Sequence, residues 1–314
     1  IPASVAAGTY SGTMYVTTAA GCITSKTITL TINPAPTVNA GPALSAICQG
    51  GISAALGGSV GGAATGGTWT DGGVGGAFNP DATTLNATWT PPGAYTGTAV
   101  LTLTTTGGSC GTTFASKNQI VNGTPTTAAA GGDDAFCIGA YTLGANTALV
   151  GAGAWTIPSG PNTSTAQITG GLSNPTATFT PTAAGVYTLR WTISNSGCTS
   201  SFDEVSYTVN ALPQVTAFSG NSICSGGIGT LTATITGATD FTVTYNPGGV
   251  SEPGVQSGIP FNVTPNPGSP GTTNYTIISV QDNNGCIRNS GFTDAAASIT
   301  VNPNGTWAGT TTDW

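Results

Sequence analysis

Seven cysteines supply the most regular chemistry in the sequence, and their spacing predicts disulfide bonds. They are Cys22, Cys48, Cys110, Cys137, Cys198, Cys224 and Cys286. Taken in order after the first, they form three pairs that are 62, 61 and 62 residues apart, and the second member of each pair follows the previous one by 88 residues. Metal or redox sites would need closely spaced Cys-x-x-Cys pairs or histidine, and the sequence has neither. We therefore predict the structural bonds Cys48–Cys110, Cys137–Cys198 and Cys224–Cys286, and half of a fourth bond at Cys22, whose partner would lie outside the sequence.

The sequence contains few of the residues that other kinds of catalysis need. The chain contains no histidine, which excludes Ser-His-Asp and Cys-His nucleophile systems. Two carboxylate pairs of the kind used by glycosidases remain, Asp133 with Asp134 and Asp203 with Glu204. Neighbouring residues on a strand point to opposite faces, so neither pair is placed to work on one substrate. We predict that the segment is not an enzyme and has no catalytic or cofactor-binding residues.

Calcium is the one cofactor that the sequence leaves open. Asp71, Asp81, Asp133 and Asp134 lie in loops rich in Gly and Asn, and such loops can supply the oxygen ligands that calcium prefers. These acids do not recur at matched positions in the repeats described below. We therefore predict no metal site.

Charge and hydropathy narrow the possible partners. The chain has four Lys and Arg and eleven Asp and Glu, for a net charge of −7. Four cations are too few to neutralise a run of phosphates. No basic patch is available for anionic lipid, and no apolar stretch approaches the roughly 20 residues of a membrane span. We predict neither nucleic-acid binding nor membrane insertion. Charged residues make up only 5% of the chain, a composition that suits the outside of a cell.

The elements that must position the cysteines recur with the same period of about 88 residues. Each period ends in a strand that runs into a proline, at Ile32–Pro36, Val121–Pro125, Val209–Pro213 and Val301–Pro303. We place a truncated repeat at 1–34, whole repeats at 35–122, 123–211 and 212–303, and the start of a further module at 304–314. The sequence begins at Ile1 inside a strand-like pattern without an initiator Met, so we expect an excised segment of a longer protein. The neighbouring repeats are the first partners of each repeat.

The pattern within a repeat predicts an all-β fold of tandem immunoglobulin-like β-sandwiches. Short segments rich in Thr, Val and aromatic residues are broken by Gly, Pro and Asn every 8 to 12 residues or so. In 123–211 we predict strands at Tyr141–Leu143, Ala154–Ile157, Ala177–Thr180, Val186–Ser194 and Val205–Val209. The predicted core tryptophans are Trp69, Trp89, Trp155 and Trp191, whereas the role of Trp307 and Trp314 stays open.

A group of motifs in 35–122 resembles a known family. They are Pro36–Gly41, Ile47–Gly51, Gly66–Trp69, Phe78–Pro80 and Leu85–Pro91. The segment is similar to the immunoglobulin-like, PKD-like repeats of very large secreted surface proteins of Bacteroidota, including gliding-motility adhesins exported by the type IX system. This resemblance implies a cell-surface location, a fibre-like shape and an adhesive or structural role, and it transfers no binding residue.

Three functions remain open on these grounds. The first is a structural stalk of a giant secreted cell-surface adhesin, which gives reach without catalysis. The second is a segment of an extracellular filament that is assembled end to end or by strand addition, with other copies of itself as partners. The third is a set of spacer modules in a secreted polysaccharide-degrading enzyme. Surface polysaccharide is a further candidate partner of the adhesin.

Overall fold

The computed structural model describes residues 5–306, and this part of the chain is almost entirely β-structure. One 3₁₀ turn, Thr165–Gln167, interrupts the succession of strands. The all-β prediction is therefore confirmed. The prediction of a further module at 304–314, with Trp307 and Trp314, lies mostly outside the described residues.

The first element is a long hairpin. Strands β1 (Gly8–Thr17) and β2 (Ile23–Ile32) pair in antiparallel register from Gly8–Ile32 to Thr17–Ile23. Successive side chains of a strand point to opposite faces, and the even-numbered side chains on one face of this hairpin include exposed apolar residues. These are Tyr10, Met14, Val16, Ile28 and Leu30.

Residues 35–122 form eight strands around one core. They are β3 (Thr37–Asn39), β4 (Ile47–Cys48), β5 (Ser59–Gly61), β6 (Gly66–Thr70), β7 (Ala77–Asn79), β8 (Thr88–Thr90), β9 (Gly97–Thr106) and β10 (Phe114–Asn122). The main sheet has the order β4-β10-β9-β6, and the pairs β3-β5 and β7-β8 are separate. Trp69 and Trp89 lie at the centre of the core with Leu101 and Leu103, as predicted for both tryptophans.

Residues 123–211 repeat this plan. Their strands are β11 (Asp134–Cys137), β12 (Tyr141–Thr142), β13 (Ala152–Ser159), β14 (Ile168–Thr169), β15 (Thr178–Phe179), β16 (Gly185–Ser194) and β17 (Ser201–Asn210). One sheet has the order β11-β17-β16-β13 and the other the order β12-β15-β14. All five strands predicted here are present, and the indole rings of Trp155 and Trp191 are buried with their centroids 5.1 Å apart.

Residues 212–303 show the sandwich topology most completely. Their strands are β18 (Gln214–Gly220), β19 (Ser222–Cys224), β20 (Thr230–Thr236), β21 (Phe241–Asn246), β22 (Val250–Val255), β23 (Pro260–Asn262), β24 (Gly271–Gln281), β25 (Ile287–Arg288) and β26 (Ala296–Asn302). The sheet β18-β20-β23 and the sheet β19-β26-β24-β21-β22 enclose one apolar core. In immunoglobulin nomenclature this is the order A-B-E opposite A′-G-F-C-C′, so the predicted sandwich type is confirmed by the strand order.

Two compact units can be distinguished in the chain. Unit 1 comprises Ile1–Thr127, Ala148–Ala152 and Ile193–Ser201, and unit 2 comprises Ala128–Thr147, Gly153–Thr192 and Phe202–Trp314. Three short segments of the predicted 123–211 repeat therefore belong to the same unit as 35–122: residues 123–127, Ala148–Ala152 and Ile193–Ser201. The repeat boundaries derived from the sequence stay a prediction.

A buried tyrosine at the start of β16 gives a first testable prediction. The Tyr187 hydroxyl donates a hydrogen bond to Ala183 O at 3.0 Å, and the residue is fully buried. Tyr10 makes the same bond to Ala6 O at 2.9 Å on the exposed hairpin. Y187F removes the buried hydroxyl and leaves the partly buried Ala183 carbonyl without this donor, so we expect a loss of about 1 kcal/mol in the free energy of unfolding. Y10F is the matched control and should change it by less than about 0.5 kcal/mol, measured by urea denaturation.

Candidate functional site

Three cysteines lie on short strands that close a sheet edge. The strands β4, β11 and β19 each pair in parallel with the end of the last strand of their segment. The register is the same each time and sets the cysteine opposite an asparagine: Cys48 with Asn122, Cys137 with Asn210, and Cys224 with Asn302. The next backbone N–H then donates to the carbonyl of that asparagine, at 2.7, 2.8 and 2.9 Å respectively. Each of these cysteines is therefore fixed at the end of the segment from which the chain leaves.

The other four cysteines lie in turns that follow a long strand. Cys22 lies between β1 and β2, Cys110 between β9 and β10, Cys198 between β16 and β17, and Cys286 between β24 and β25. Gly197 and Gly285, which precede two of them, have φ of +76° and +80°. This left-handed conformation favours glycine and turns the chain sharply. In each segment the turn cysteine thus precedes the last strand, whereas Cys48, Cys137 and Cys224 pair with the end of that strand.

The two kinds of cysteine in one segment cannot reach each other. Cys110 precedes β10, whereas Cys48 pairs with its last residue, Asn122. At about 3.3 Å per residue, the nine residues of β10 separate them by roughly 27 Å. The Cα atoms of bonded cysteines must lie within about 7 Å. The same strand geometry applies to Cys137 and Cys198 on either side of β17.

The structure shows two disulfides, and both join cysteines of consecutive predicted repeats. Cys48 bonds Cys198 across 150 residues with a Cα–Cα distance of 4.6 Å, within unit 1. Cys137 bonds Cys286 across 149 residues with a Cα–Cα distance of 5.5 Å, within unit 2. The predicted bonds Cys48–Cys110, Cys137–Cys198 and Cys224–Cys286 are therefore wrong, as is the prediction of one disulfide inside each repeat. A cysteine at the exit of one repeat bonds instead to a turn cysteine of the next.

Hydrogen bonds hold the Cys198 turn against the end of the preceding repeat. The Asn122 side-chain amide donates to Ser196 O at 2.7 Å, and the Asn195 amide donates to Gly123 O at 2.9 Å. The Cys198 sulfur lies 3.3 Å from Gly123 O and 3.7 Å from Asn122 O. The turn is thus positioned by polar contacts as well as by the covalent bond.

The three remaining cysteines, Cys22, Cys110 and Cys224, are exposed and unpaired in the described chain. The prediction that Cys110 and Cys224 are disulfide-bonded within this chain is thus wrong. The partner expected for Cys22 outside the sequence stays a prediction. Cys110 nevertheless has the surroundings of a junction: Asn33 donates to Ser109 Oγ at 2.7 Å, and the Cys110 sulfur lies 3.6 Å from Asn33 O.

The glycine before Cys198 gives a second prediction, with a matched control. A Cβ on Gly197 would lie 2.4 Å from the Ala46 carbonyl oxygen, whereas a Cβ on Gly285 would meet nothing within 4 Å. Both glycines have nearly the same φ, so alanine is strained to the same extent at either position. We expect G197A to lower the yield of the Cys48–Cys198 bond severalfold and G285A to leave the yield of Cys137–Cys286 nearly intact. Peptide mapping of the refolded, unreduced protein measures both yields, and equal losses would contradict the prediction.

Two of the carboxylates considered as calcium ligands stabilise their own loops. Asp71 is buried and accepts hydrogen bonds from Gly73 N at 3.2 Å and Gly76 N at 2.7 Å. Asp81 accepts from the Thr83 hydroxyl at 2.6 Å and from the Thr83 N–H at 2.8 Å. These bonds from Thr83 hold the pKa of the Asp81 carboxyl below its ordinary value. Both side chains thus serve as turn caps.

The carboxylates near residues 133 and 203 are likewise engaged with protein donors. Asp133 accepts from Ser206 N at 2.8 Å, and Asp203 accepts from Ala130 N at 2.8 Å. The remaining two acids have side-chain partners: the Tyr141 hydroxyl donates to Asp134 at 2.7 Å, which lowers the pKa of that carboxyl, and Arg190 forms an ion pair with Glu204 at 2.7 Å. Within residues 5–306, no three His, Cys, Asp or Glu side chains are grouped to hold a metal ion. The prediction that the chain has no metal site, with calcium as the one cofactor left open, stays a prediction.

A cavity and the absence of a spanning helix in the described residues bear on other classes of function. A cavity of about 300 Å³ in unit 2 is lined by residues that include Pro247, Pro265, Pro267 and Tyr275, and its lining has no carboxylate, lysine or cysteine. In the described part of the chain, no helix has the length and apolar character needed to cross a bilayer.

Comparisons with known proteins give similarity only at the level of solved structures. No protein-family model matches the chain, and no curated protein matches it. The chain is similar to the I67–I69 fragment of the titin I-band, with 13% identity over 87% of this chain and 100% of that one, at a TM-score of 0.49. It is also similar to immunoglobulin domains 1–5 of Sidekick-1, with 16% identity over 95% and 67% of the two chains, at a TM-score of 0.40. Extracellular domains 3–5 of Drosophila OTK match with 10% identity over 86% and 100%, at a TM-score of 0.35. At these identities and TM-scores the matches transfer no function.

Proposed function

We propose that this chain is a non-catalytic structural segment of an extracellular adhesive protein, a stalk whose repeats are covalently fastened to one another. The observation that carries this proposal is the pair of disulfides Cys48–Cys198 and Cys137–Cys286, each of which joins one repeat to the next. Disulfides persist in oxidising compartments, which supports a location outside the cell. The resemblance of 35–122 to repeats of Bacteroidota surface adhesins supports the finer proposal of a giant adhesin exported by the type IX system.

The disulfide pattern suits a protein that carries tension. A bond within a repeat protects only that repeat, whereas a bond between repeats limits extension across their junction as well. The loops closed here span 150 and 149 residues and overlap between Cys137 and Cys198. A force applied at the two ends is therefore transmitted through sulfur bonds even when the repeats unfold. Adhesion to surface polysaccharide would then be the task of other modules of the same protein.

Force spectroscopy on the 314-residue chain tests this role. In a C137A/C286A variant held by both ends, reduction should release the 150 residues that the Cys48–Cys198 bond spans, or about 500 Å of contour length at 3.3–3.6 Å per residue. A bond within the repeat would release the 62 residues from Cys48 to Cys110, about 200 Å. A chain that extends equally before and after reduction would overturn the proposal.

A filament is the second candidate, because the β1–β2 hairpin leaves an apolar face uncovered. Tyr10 is 42% exposed and Met14 48% exposed on this face, and strands from another copy could cover it. Sedimentation velocity separates the two functions. A stalk predicts monomers at every concentration under non-reducing conditions, whereas a filament predicts polymers that grow with concentration.

A further inference from the structure

The β1–β2 hairpin and Cys110 reproduce one half of the junction that Cys48 and Cys198 form in full elsewhere in the chain. At the complete junction, the Asn122 amide donates to the backbone carbonyl of Ser196, and the Cys198 sulfur lies 3.7 Å from Asn122 O. At the incomplete one, the Asn33 amide donates to the side-chain hydroxyl of Ser109, and the Cys110 sulfur lies 3.6 Å from Asn33 O. The turn cysteine, Cys110, and the asparagine, Asn33, are thus already in place, and Cys110 has no bonded cysteine in the described chain.

The missing half is a short strand on the outer edge of β2. In the three complete segments, the last strand lies between its hairpin partner and a short parallel strand that ends in the bonding cysteine. Within the described residues, β2 pairs with β1 alone. Its outer edge therefore presents unpaired backbone N–H and C=O groups, which form a template for a further strand.

We propose that Cys110 and the outer edge of β2 together form an acceptor site for the short strand that completes the repeat of β1 and β2, which adds to β2 in parallel and bonds its cysteine to Cys110. The proposal deepens the stalk function and rests on it, since it adds a junction at Cys110 to those at Cys48–Cys198 and Cys137–Cys286. It also explains why Cys110, at a position equivalent to Cys198 and Cys286, is unpaired here.

The register specifies the chemistry of the incoming strand. The short strands place an apolar residue and then cysteine opposite an apolar residue and then asparagine, as in Ile47–Cys48 opposite Val121–Asn122. The other two instances are Phe136–Cys137 opposite Val209–Asn210 and Ile223–Cys224 opposite Val301–Asn302. β2 runs into the same pair, Ile32 and Asn33. An Ile-Cys or Phe-Cys segment in this register brings its sulfur to the position that Cys48 occupies beside Cys198.

The bond forms by thiol–disulfide exchange. The incoming cysteine arrives as a mixed disulfide with a small thiol, and the Cys110 thiolate attacks its sulfur. The new sulfur–sulfur bond forms as the bond to the small thiol breaks, and the small thiol leaves with the electron pair. The small disulfide from which the mixed disulfide was made is the oxidant, and it takes up two electrons in total.

A peptide with the sequence of residues 44–51 of this chain, Leu-Ser-Ala-Ile-Cys-Gln-Gly-Gly, is the probe. It is supplied as its mixed disulfide with 5-thio-2-nitrobenzoate to the oxidised 314-residue protein, and mass spectrometry of a digest locates the attached peptide. Cys22 and Cys224 are also exposed and serve as internal references. We expect Cys110 to react at least about tenfold faster than either, because strand addition raises the local concentration of the peptide disulfide.

A second peptide separates strand addition from simple thiol reactivity. In β4, the Gln49 N–H donates to Asn122 O at 2.7 Å, and proline at this position removes that donor. The proline peptide should label Cys110, Cys22 and Cys224 within about twofold of one another. N33A in the protein, which removes the bond to Ser109, should reduce the advantage of Cys110 and leave the rate at Cys224 unchanged.

Equal labelling of the three thiols by the first peptide would overturn the acceptor site, as would equal preference for Cys110 with both peptides. Either outcome leaves the release of contour length by reduction of Cys48–Cys198 unaffected, so failure of this inference is distinguishable from failure of the stalk function.

Discussion

A chain cut once after Thr124 should run as a single species on a non-reducing denaturing gel and as two fragments after reduction. Thr124 is exposed and lies between β10 and β11, so a recognition sequence for a site-specific protease can be inserted there. The cut separates Cys48 from Cys198 along the chain, and the disulfide between them holds the two fragments together. Essentially all of the oxidised protein should stay joined, since the denatured fragments share no other covalent link.

Single substitutions provide the controls for the cleavage experiment. C198S removes the bond across the cut and should release the fragments completely without reductant. C110S alters a cysteine that is unpaired in the structure and should leave them joined. Release from the wild-type chain, or retention in C198S, would contradict the disulfide pattern. The bond Cys137–Cys286 lies wholly within the second fragment and serves as an internal check on oxidation.

The periodicity of the cysteines could not decide between the two pairing schemes. A turn cysteine recurs every 88 residues, so a pairing across 62 residues and a pairing across 150 residues fit the period equally well. Both schemes also leave Cys22 without a partner in the sequence. The strand content, the buried tryptophans and the exit prolines depend on local pattern, and for this reason the all-β fold could be predicted. The pairing depends on which end of a strand each cysteine occupies, and this is a property of the tertiary structure.

One signal in the sequence did point to the observed pairing. Gly197 precedes Cys198 and Gly285 precedes Cys286, which places these cysteines in turns. In antibody domains the intra-domain disulfide links two facing strands and packs against a core tryptophan. A cysteine in a turn is at the end of the sandwich, where the nearest cysteine belongs to the adjoining repeat. In this chain the buried rings of Trp155 and Trp191 pack against each other in the core, and no disulfide joins the two sheets there.

Removal of the second disulfide should produce the largest loss of stability in unit 2. The Cys137–Cys286 bond spans 149 residues, and the chain-entropy model assigns a loop of this length about 5 kcal/mol. We expect C137A/C286A to lower the free energy of unfolding of unit 2 by about 3–5 kcal/mol. Alanine suits the fully buried position 286, because a serine hydroxyl there would be buried at the cost of its hydration. C224A alters an exposed unpaired cysteine and should cost less than about 0.5 kcal/mol.

The same variant tests whether the bond couples the unfolding of two repeats. Cys137 lies on β11 of one sandwich and Cys286 beside β25 of another, so the bond restricts the unfolded chain of both. Hydrogen-exchange pulses at increasing urea, read separately for β16 and β24 by mass spectrometry, follow each repeat. Their midpoints should lie close together in the oxidised wild type and separate in C137A/C286A, because each repeat then unfolds at its own stability. Midpoints that are equally far apart in both proteins would mean that the bond joins the repeats without coupling them, and a stalk would then gain length control from its disulfides but no cooperativity.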